Sequence, residues 1–308
     1  MSFSHRPVLL DEVLSFCPAT AKLCLDFTLG GGGHSAALLR QFPELSLIGS
    51  DRDEQALAAA KIALEPFGTR AKIRKGAFAE QAVAYQEEGL KVDYILADLG
   101  VSSHQLDRAE RGFSFGQNGP LDMRMDPSQG QSVAELLAQA DEKELTQIFY
   151  RYGEESFAPR IAARICARRT QEPLTETAQL ADLVFGAIPR KLHPKKIHPA
   201  TKVFQALRIA VNDELGQLDR FLESAKELLN LGGRLAIISF HSLEDRPVKQ
   251  AFVQWESPCI CPPQIPYCQC GRLPLGHRVT KKPVTASEEE IAMNPRARSA
   301  KLRIFERQ

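Results

Sequence analysis

Leu25-Asp26-Phe27-Thr28-Leu29-Gly30-Gly31-Gly32-Gly33-His34 is the stretch whose reading decides the fold. An apolar run ends in an acid, a hydroxyl follows, then four glycines, then Ser35-Ala36-Ala37-Leu38-Leu39. That order reads as strand, tight turn, helix. Glycine admits positive φ and lets a ligand come close to the backbone. The helix start behind the turn offers N–H groups with no partner inside the helix. Together they make a nucleotide-sized seat at the carboxyl end of a strand. Glycines alone also suit a flexible loop, and the next strand weighs against that. Leu45-Ser46-Leu47-Ile48-Gly49-Ser50 closes at Asp51, about twenty residues on, where Rossmann-like folds place a ribose-binding acid. Asp51 suits that role, or it caps a helix expected from Asp53 to Ala63; the two roles are compatible.

Working outward, Val8–Leu14 reads as a short amphipathic helix and Lys22 to Asp26 as the first strand. Ala71–Lys75 and Val92–Asp98 read as third and fourth strands, with Gly76-Ala77-Phe78 just after the third. Strands alternating with helical stretches imply a parallel α/β sheet. The alternation then stops. Val101 to Arg124 is rich in Ser, Gly, Asp and Arg, and a loop of that length inside a domain is functional or disordered. Its Phe113, Phe115 and Met123 speak against disorder. They suit either a bound base or a core under the loop.

Ser132/Glu135 and Asp141/Glu144 have capping-box spacing. Further helices are expected over Phe157–Arg169 and Thr177–Ile188, the latter ended by Pro189. A strand pattern returns at Gly232–Phe240. The expected organisation is an α/β domain, residues 1–105 and 206–308, interrupted by a helical insertion over 106–205.

The 308 residues are 44% hydrophobic, which supports a substantial core, and the net charge is +1. The chain is therefore no bulk polycation, and nucleic-acid contacts have to come from local patches. Two segments are locally basic: Arg190 to His198, and the tail from Asn294 to Arg303. No run is apolar enough to span a membrane. Met1 to Pro7 lacks the apolar core of a signal peptide. Seven cysteines, an odd number, fit a reducing cytoplasm and free thiols. Cys259, Cys261, Cys268 and Cys270 are close enough in sequence to hold zinc. Their Cys-x-Cys spacing departs from the usual zinc pairs, so the reading favours an unliganded, oxidisable loop and no metal.

Several runs together resemble the RsmH (MraW) family of bacterial ribosomal RNA methyltransferases. They include His5-x-Pro7-Val8-Leu9-Leu10-x-Glu12, Asp26-x-Thr28-x-Gly30-x-Gly32-Gly33-His34, Asp51-Arg52-Asp53 and Asp98-Leu99-Gly100-Val101-Ser102-Ser103. Arg111–Phe115, Pro120–Asp126, His198–Thr201, Phe204–Asn212, Phe240–Arg246 and Asn294–Arg303 continue the match in order across nearly the whole chain. Lys202, where an arginine is expected, and Tyr94, where glycine is common, are small departures.

The resemblance implies a class I S-adenosylmethionine-dependent methyltransferase sheet. The implied reaction is methylation of N4 of a cytidine in the decoding region of 16S rRNA, within the small ribosomal subunit. Carried over by position, the cofactor contacts are Gly32, Gly33, His34, Asp51, Phe78, Asp98 and Gln105. Asp98, or a backbone carbonyl just after it, is expected to accept from N4–H; the alternative is that Asp98 touches cofactor only. The insertion is expected to bind RNA, through Lys195, Lys196, His198 and Lys202. Two other functions share parts of these patterns: a nicotinamide oxidoreductase and a non-enzymatic ribosome-assembly factor.

Overall fold

The computed structural model describes residues 7–195, 197–262, 264 and 267–308. His5 and Lys196, both singled out above, lie outside the described residues. The chain divides into two compact units. One comprises 1–100 with 215–308, the other 101–214.

The first unit opens with helix α1 (Leu10–Phe16), strand β1 (Leu23–Asp26), α2 (Gly33–Gln41), β2 (Ser46–Asp51) and α3 (Glu54–Leu64). It continues with β3 (Ala71–Lys75), α4 (Phe78–Glu87) and β4 (Val92–Asp98). The second unit holds α5 (Ser103–Asp107), α6 (Val133–Gln139), α7 (Glu142–Gly153), α8 (Ala158–Arg169), α9 (Thr177–Ala187) and α10 (Thr201–Asn212). The chain then returns to the first unit through α11 (Glu214–Leu228), β5 (Leu229–Ser239), α12 (Ser242–Glu256), β6 (Gly276–Arg278), α13 (Glu288–Met293) and β7 (Lys301–Arg307).

The sheet runs β3-β2-β1-β4-β5-β7-β6. β1 to β5 pair in parallel, and β7 lies antiparallel between β5 and β6. This is the expected Rossmann-like α/β class, and the order reverses direction between β1 and β4, where such sheets bind ligands. It departs from the all-parallel dinucleotide order by the antiparallel insertion of β7. Alternate side chains of β4 enter opposite cores, as a doubly covered strand requires. Tyr94 and Leu96 join Leu38, Leu39 and Ile304 on one face, while Ile95 and Ala97 join Phe27, Phe221 and Phe252 on the other.

The locally basic tail, a candidate for nucleic-acid contacts, ends as a strand of the sheet. Arg303 is buried, and Asp245 accepts from its Nε at 2.7 Å and its Nη2 at 3.1 Å. Lys301 also approaches Asp245, at 3.4 Å. The Phe240–Arg246 and Asn294–Arg303 runs therefore meet to fix β7.

In the second unit a core of Met123, Leu136, Phe149, Ile161, Leu180, Val184 and Leu207 joins the helices. Ser132 and Glu135 form both halves of the capping box on α6. Phe113 and Met123 are buried in this core and Phe115 packs against it, so all three are structural. The long segment before α6 is ordered by two polar clamps. Arg111 donates to the carbonyls of Arg124 and Met125 at 3.1 and 3.0 Å. Asn212 donates to the Met123 carbonyl at 2.7 Å and accepts from the Met125 amide at 2.8 Å. Among the described residues no helix is long and apolar enough to cross a membrane.

Candidate active site

Asp26, Asp51 and Asp98 end β1, β2 and β4, so the parallel sheet brings three carboxyl groups to one edge. Asp26 accepts from Ser35 Oγ at 2.6 Å and from the Thr28 amide at 3.1 Å. Burial nonetheless pushes its pKa up to about 6, and the Asp51 charge acts the same way. Asp51 accepts the amides of Gly30 at 2.8 Å and Asp53 at 2.9 Å; burial raises its pKa too. Asp51 does not cap α3. Asp53 does, accepting from the Gln55 amide at 3.0 Å.

Asp98 is held by Thr28 Oγ1, which accepts its backbone amide at 2.6 Å. Its Oδ1 is buried with no hydrogen-bond partner among the described residues. Burial, then repulsion from Asp26 and Glu244, drives its pKa well above the usual carboxylate range. Glu244, which the sequence reading did not single out, is buried and accepts the Phe240 amide at 2.8 Å. His241 Nε2 lies 3.2 Å from its other oxygen.

His34 sits on α2 with Nε2 2.9 Å from the Val8 carbonyl and Nδ1 3.9 Å from Asp98 Oδ2. Burial pulls its pKa down to about 4, so the ring is neutral near pH 7. Nε2 then carries the hydrogen given to Val8, and Nδ1 turns a lone pair toward Asp98. At 3.9 Å a neutral ring and a carboxyl group are neighbours and not an ion pair.

The glycine turn is largely self-satisfied. The Gly30 amide is given to Asp51, and the Gly32 amide goes to the Leu29 carbonyl at 2.8 Å. Gly32 has φ 80°, and a Cβ on Gly33 would lie 2.7 Å from Pro7 Cγ. Part of the glycine requirement therefore serves the fold itself. A diphosphate would meet four carboxyl groups here, an unfavourable pairing of like charges. A ligand carrying a positive centre and hydroxyl groups fits the same edge, because its charge offsets the burial and the mutual repulsion that raise these pKa values. This counts against the nicotinamide reading.

Phe78, the first residue of α4, is half-buried and meets Phe221 edge-on, with ring centroids 5.3 Å apart. Gln105 lies in the other unit, where its carbonyl closes a capping box by accepting the Ser102 amide at 3.0 Å. The sheet thus assembles Gly32, Gly33, His34, Asp51, Phe78 and Asp98 within one unit. Asp26 and Glu244 complete that edge, and both belonged to quoted runs.

The residues expected to bind RNA have divided roles in the second unit. Lys195 is exposed. Lys202 donates to the Glu154 carbonyl at 2.9 Å, at the end of α7. His198 is stacked on Phe185 with centroids 5.6 Å apart, packs on Phe115 at 4.8 Å, and accepts the Ala200 amide. Both side chains therefore hold their own unit together, and Arg190, Lys191 and Lys195 provide the exposed basic face.

The MraW methylase family matches residues 2–308. The chain belongs to this family. Ribosomal RNA small subunit methyltransferase H of Trichlorobacter lovleyi is 51% identical to this MraW methylase, over 99% of this chain and 98% of the relative. The protein of the same description from Geobacter sulfurreducens is 50% identical, over 100% of both. Among solved structures, an rRNA methylase from Streptococcus thermophilus is 10% identical, covers 100% of this chain and 99% of its own, and has a TM-score of 0.39.

Proposed function

We propose that the chain transfers a methyl group from S-adenosylmethionine to N4 of a cytidine in the decoding region of 16S rRNA, in the cytoplasm, on RNA of the small ribosomal subunit. The observation that carries this reading is the acid-lined strand edge with Asp98 Oδ1 unpartnered in a chain of the MraW methylase family. S-adenosylmethionine supplies an electrophilic methyl group on a positively charged sulfur. Asp51 is placed to accept from ribose hydroxyls, and Phe78 offers a ring face for adenine. Asp26, Asp98 and Glu244 give the site the negative charge that a sulfonium requires.

The cytosine amine is a poor nucleophile, since its lone pair is delocalised into the ring. Ionised Asp98 accepts from N4–H and holds the amine in line as its geometry changes. The base leaves its stack to be reached. Methyl-transfer assays on free 16S rRNA, partial particles and complete small subunits test the proposal, with nucleoside mass spectrometry as readout. N4-methylcytidine is the expected product, and methylation confined to another nucleoside refutes it.

Two binding results are expected. Asp51→Ala weakens S-adenosylmethionine binding by about 1–3 kcal/mol, because ribose hydroxyls lose a charged acceptor. Unchanged affinity by calorimetry in a folded variant removes Asp51 from the site. Binding of the cation also favours the ionised acids, whose pKa values the free chain holds raised, to about 6 for Asp26. Protons are therefore released on binding, and affinity rises with pH through that window. Calorimetry in buffers of different ionisation enthalpy measures the release directly; zero or opposite proton flux contradicts the electrostatic argument.

The insertion, read as 106–205 and compact over 101–214, is proposed to recognise the RNA. Replacing Lys195 and Lys196 with alanine lowers the slope of log affinity against log salt by up to about two. Cofactor affinity stays unchanged. Fluorescence anisotropy across a salt series checks this, and an unaltered slope returns the segment to ordinary surface.

A further inference from the structure

The segment between α12 and β6 is an exposed loop with a clamped base. The Leu275 amide donates to the Trp255 carbonyl at 2.9 Å. Arg278 binds Glu256 through its amide at 3.0 Å and its Nε at 2.6 Å. Between these clamps none of the described residues from Ser257 to Pro274 is buried. Ile260, Tyr267 and Leu273 are 63%, 82% and 80% exposed. The loop has no apolar core to hold its shape, yet its four cysteines converge.

The Sγ atoms of Cys259, Cys261, Cys268 and Cys270 all lie within 4.8 Å of one another. Cys268 Sγ is 3.6 Å from that of Cys259 and 3.5 Å from that of Cys270. A tetrahedral zinc–thiolate centre with bonds of about 2.3 Å sets its sulfurs about 3.8 Å apart. The Gln269 amide donates to Cys261 Sγ at 3.3 Å. Such an N–H group stabilises sulfur carrying negative charge. The sequence spacing argued against a metal because each Cys-x-Cys is tighter than the usual pair, yet the two pairs lie together in space.

We propose that Cys259, Cys261, Cys268 and Cys270 bind one zinc ion as a structural site. All four positions are filled by sulfur, so no open position remains for a substrate, as in zinc sites that serve stability. Binding zinc releases the thiol protons and replaces the missing core of the loop. The site is separate from the methyl-transfer chemistry: its donors belong to one surface loop, and none was assigned to the strand edge.

The test uses the full chain purified under reducing conditions without chelator. Elemental analysis is expected to find about one zinc per chain, released by a mercurial thiol reagent. Cobalt replacing zinc should show the intense visible bands of tetrahedral thiolate ligation. Cys259→Ser with Cys270→Ser should reduce bound metal at least tenfold and speed proteolysis within the loop. Metal-free chain whose reduced thiols give no such cobalt spectrum overturns the proposal, as does iron in place of zinc. So does a pair of disulfides under the same conditions. Metal content in the unsubstituted chain decides the matter even if the double variant folds poorly.

Discussion

Asp98→Asn lowers methyl-transfer turnover by about 10²–10⁴-fold, the range lost when a positioned acceptor leaves a reacting group. RNA affinity stays near that of the unsubstituted chain. Asparagine keeps the shape of the side chain and the Thr28–Asp98 backbone hydrogen bond at 2.6 Å, so the loss reports charge at Oδ1. Only the ionised carboxyl group accepts from N4–H without donating in return. Because burial and the charges of Asp26 and Glu244 hold its pKa well above the usual range, turnover rises with pH through that raised value and falls away below it. The asparagine variant loses this dependence. Single-turnover rates at saturating cofactor, measured across pH, check both halves. A near-normal rate, or an unchanged profile in the variant, would sink the assignment of Asp98 and leave it as a cofactor contact.

Gly112→Ala is expected to destabilise the second unit by about 3 kcal/mol or more, combining left-handed backbone strain with overpacking. Gly112 has φ 72°, and a Cβ there would lie 2.1 Å from the Pro120 carbonyl oxygen and 2.9 Å from the Asp122 amide. Neither backbone atom can move easily, since the same segment is pinned by Arg111 and Asn212. Gly130→Ala is the control: φ is 68° but nothing lies within 4 Å of the added atom. It carries the backbone term alone, about 1–2 kcal/mol. Hydrogen exchange of amides within 101–214 separates the two variants. Equal losses would show that the contact with Pro120 relaxes.

β1, β2 and β4 were legible because each is an apolar run ending in an acid, and the alternating Ala71–Lys75 because Gly76 and a helix start follow it. Ala71–Lys75 and Val92–Asp98 were read with the bounds they have. β6 and β7 were not legible. β6 has three residues, and Lys301-Leu302-Arg303-Ile304 presents its charges where a surface reading is natural. Only the distant Asp245 explains why Arg303 can be buried. The strand-end acids were visible singly, but their mutual repulsion depends on strand order. Glu244 approaches Asp98 only because β5 pairs with β4. The partners of Lys202 and His198 were not legible because local sequence shows charge and not the carbonyl or ring that engages it. The convergence of the four thiols was hidden for a related reason: spacing describes each Cys-x-Cys pair and not how the two pairs lie in space.

The first unit is interrupted after Gly100 and resumes at Leu215, although β4 and β5 are neighbours in its sheet. Were the intervening unit unfolded, it would be a flexible loop of roughly a hundred residues. Closing such a loop costs about 4 kcal/mol in chain entropy, apart from a constant. A folded insertion removes much of that disorder before the two strands meet. Lesions confined to the insertion therefore lower the stability of the catalytic sheet through the statistics of the connecting chain, without altering a single contact within it.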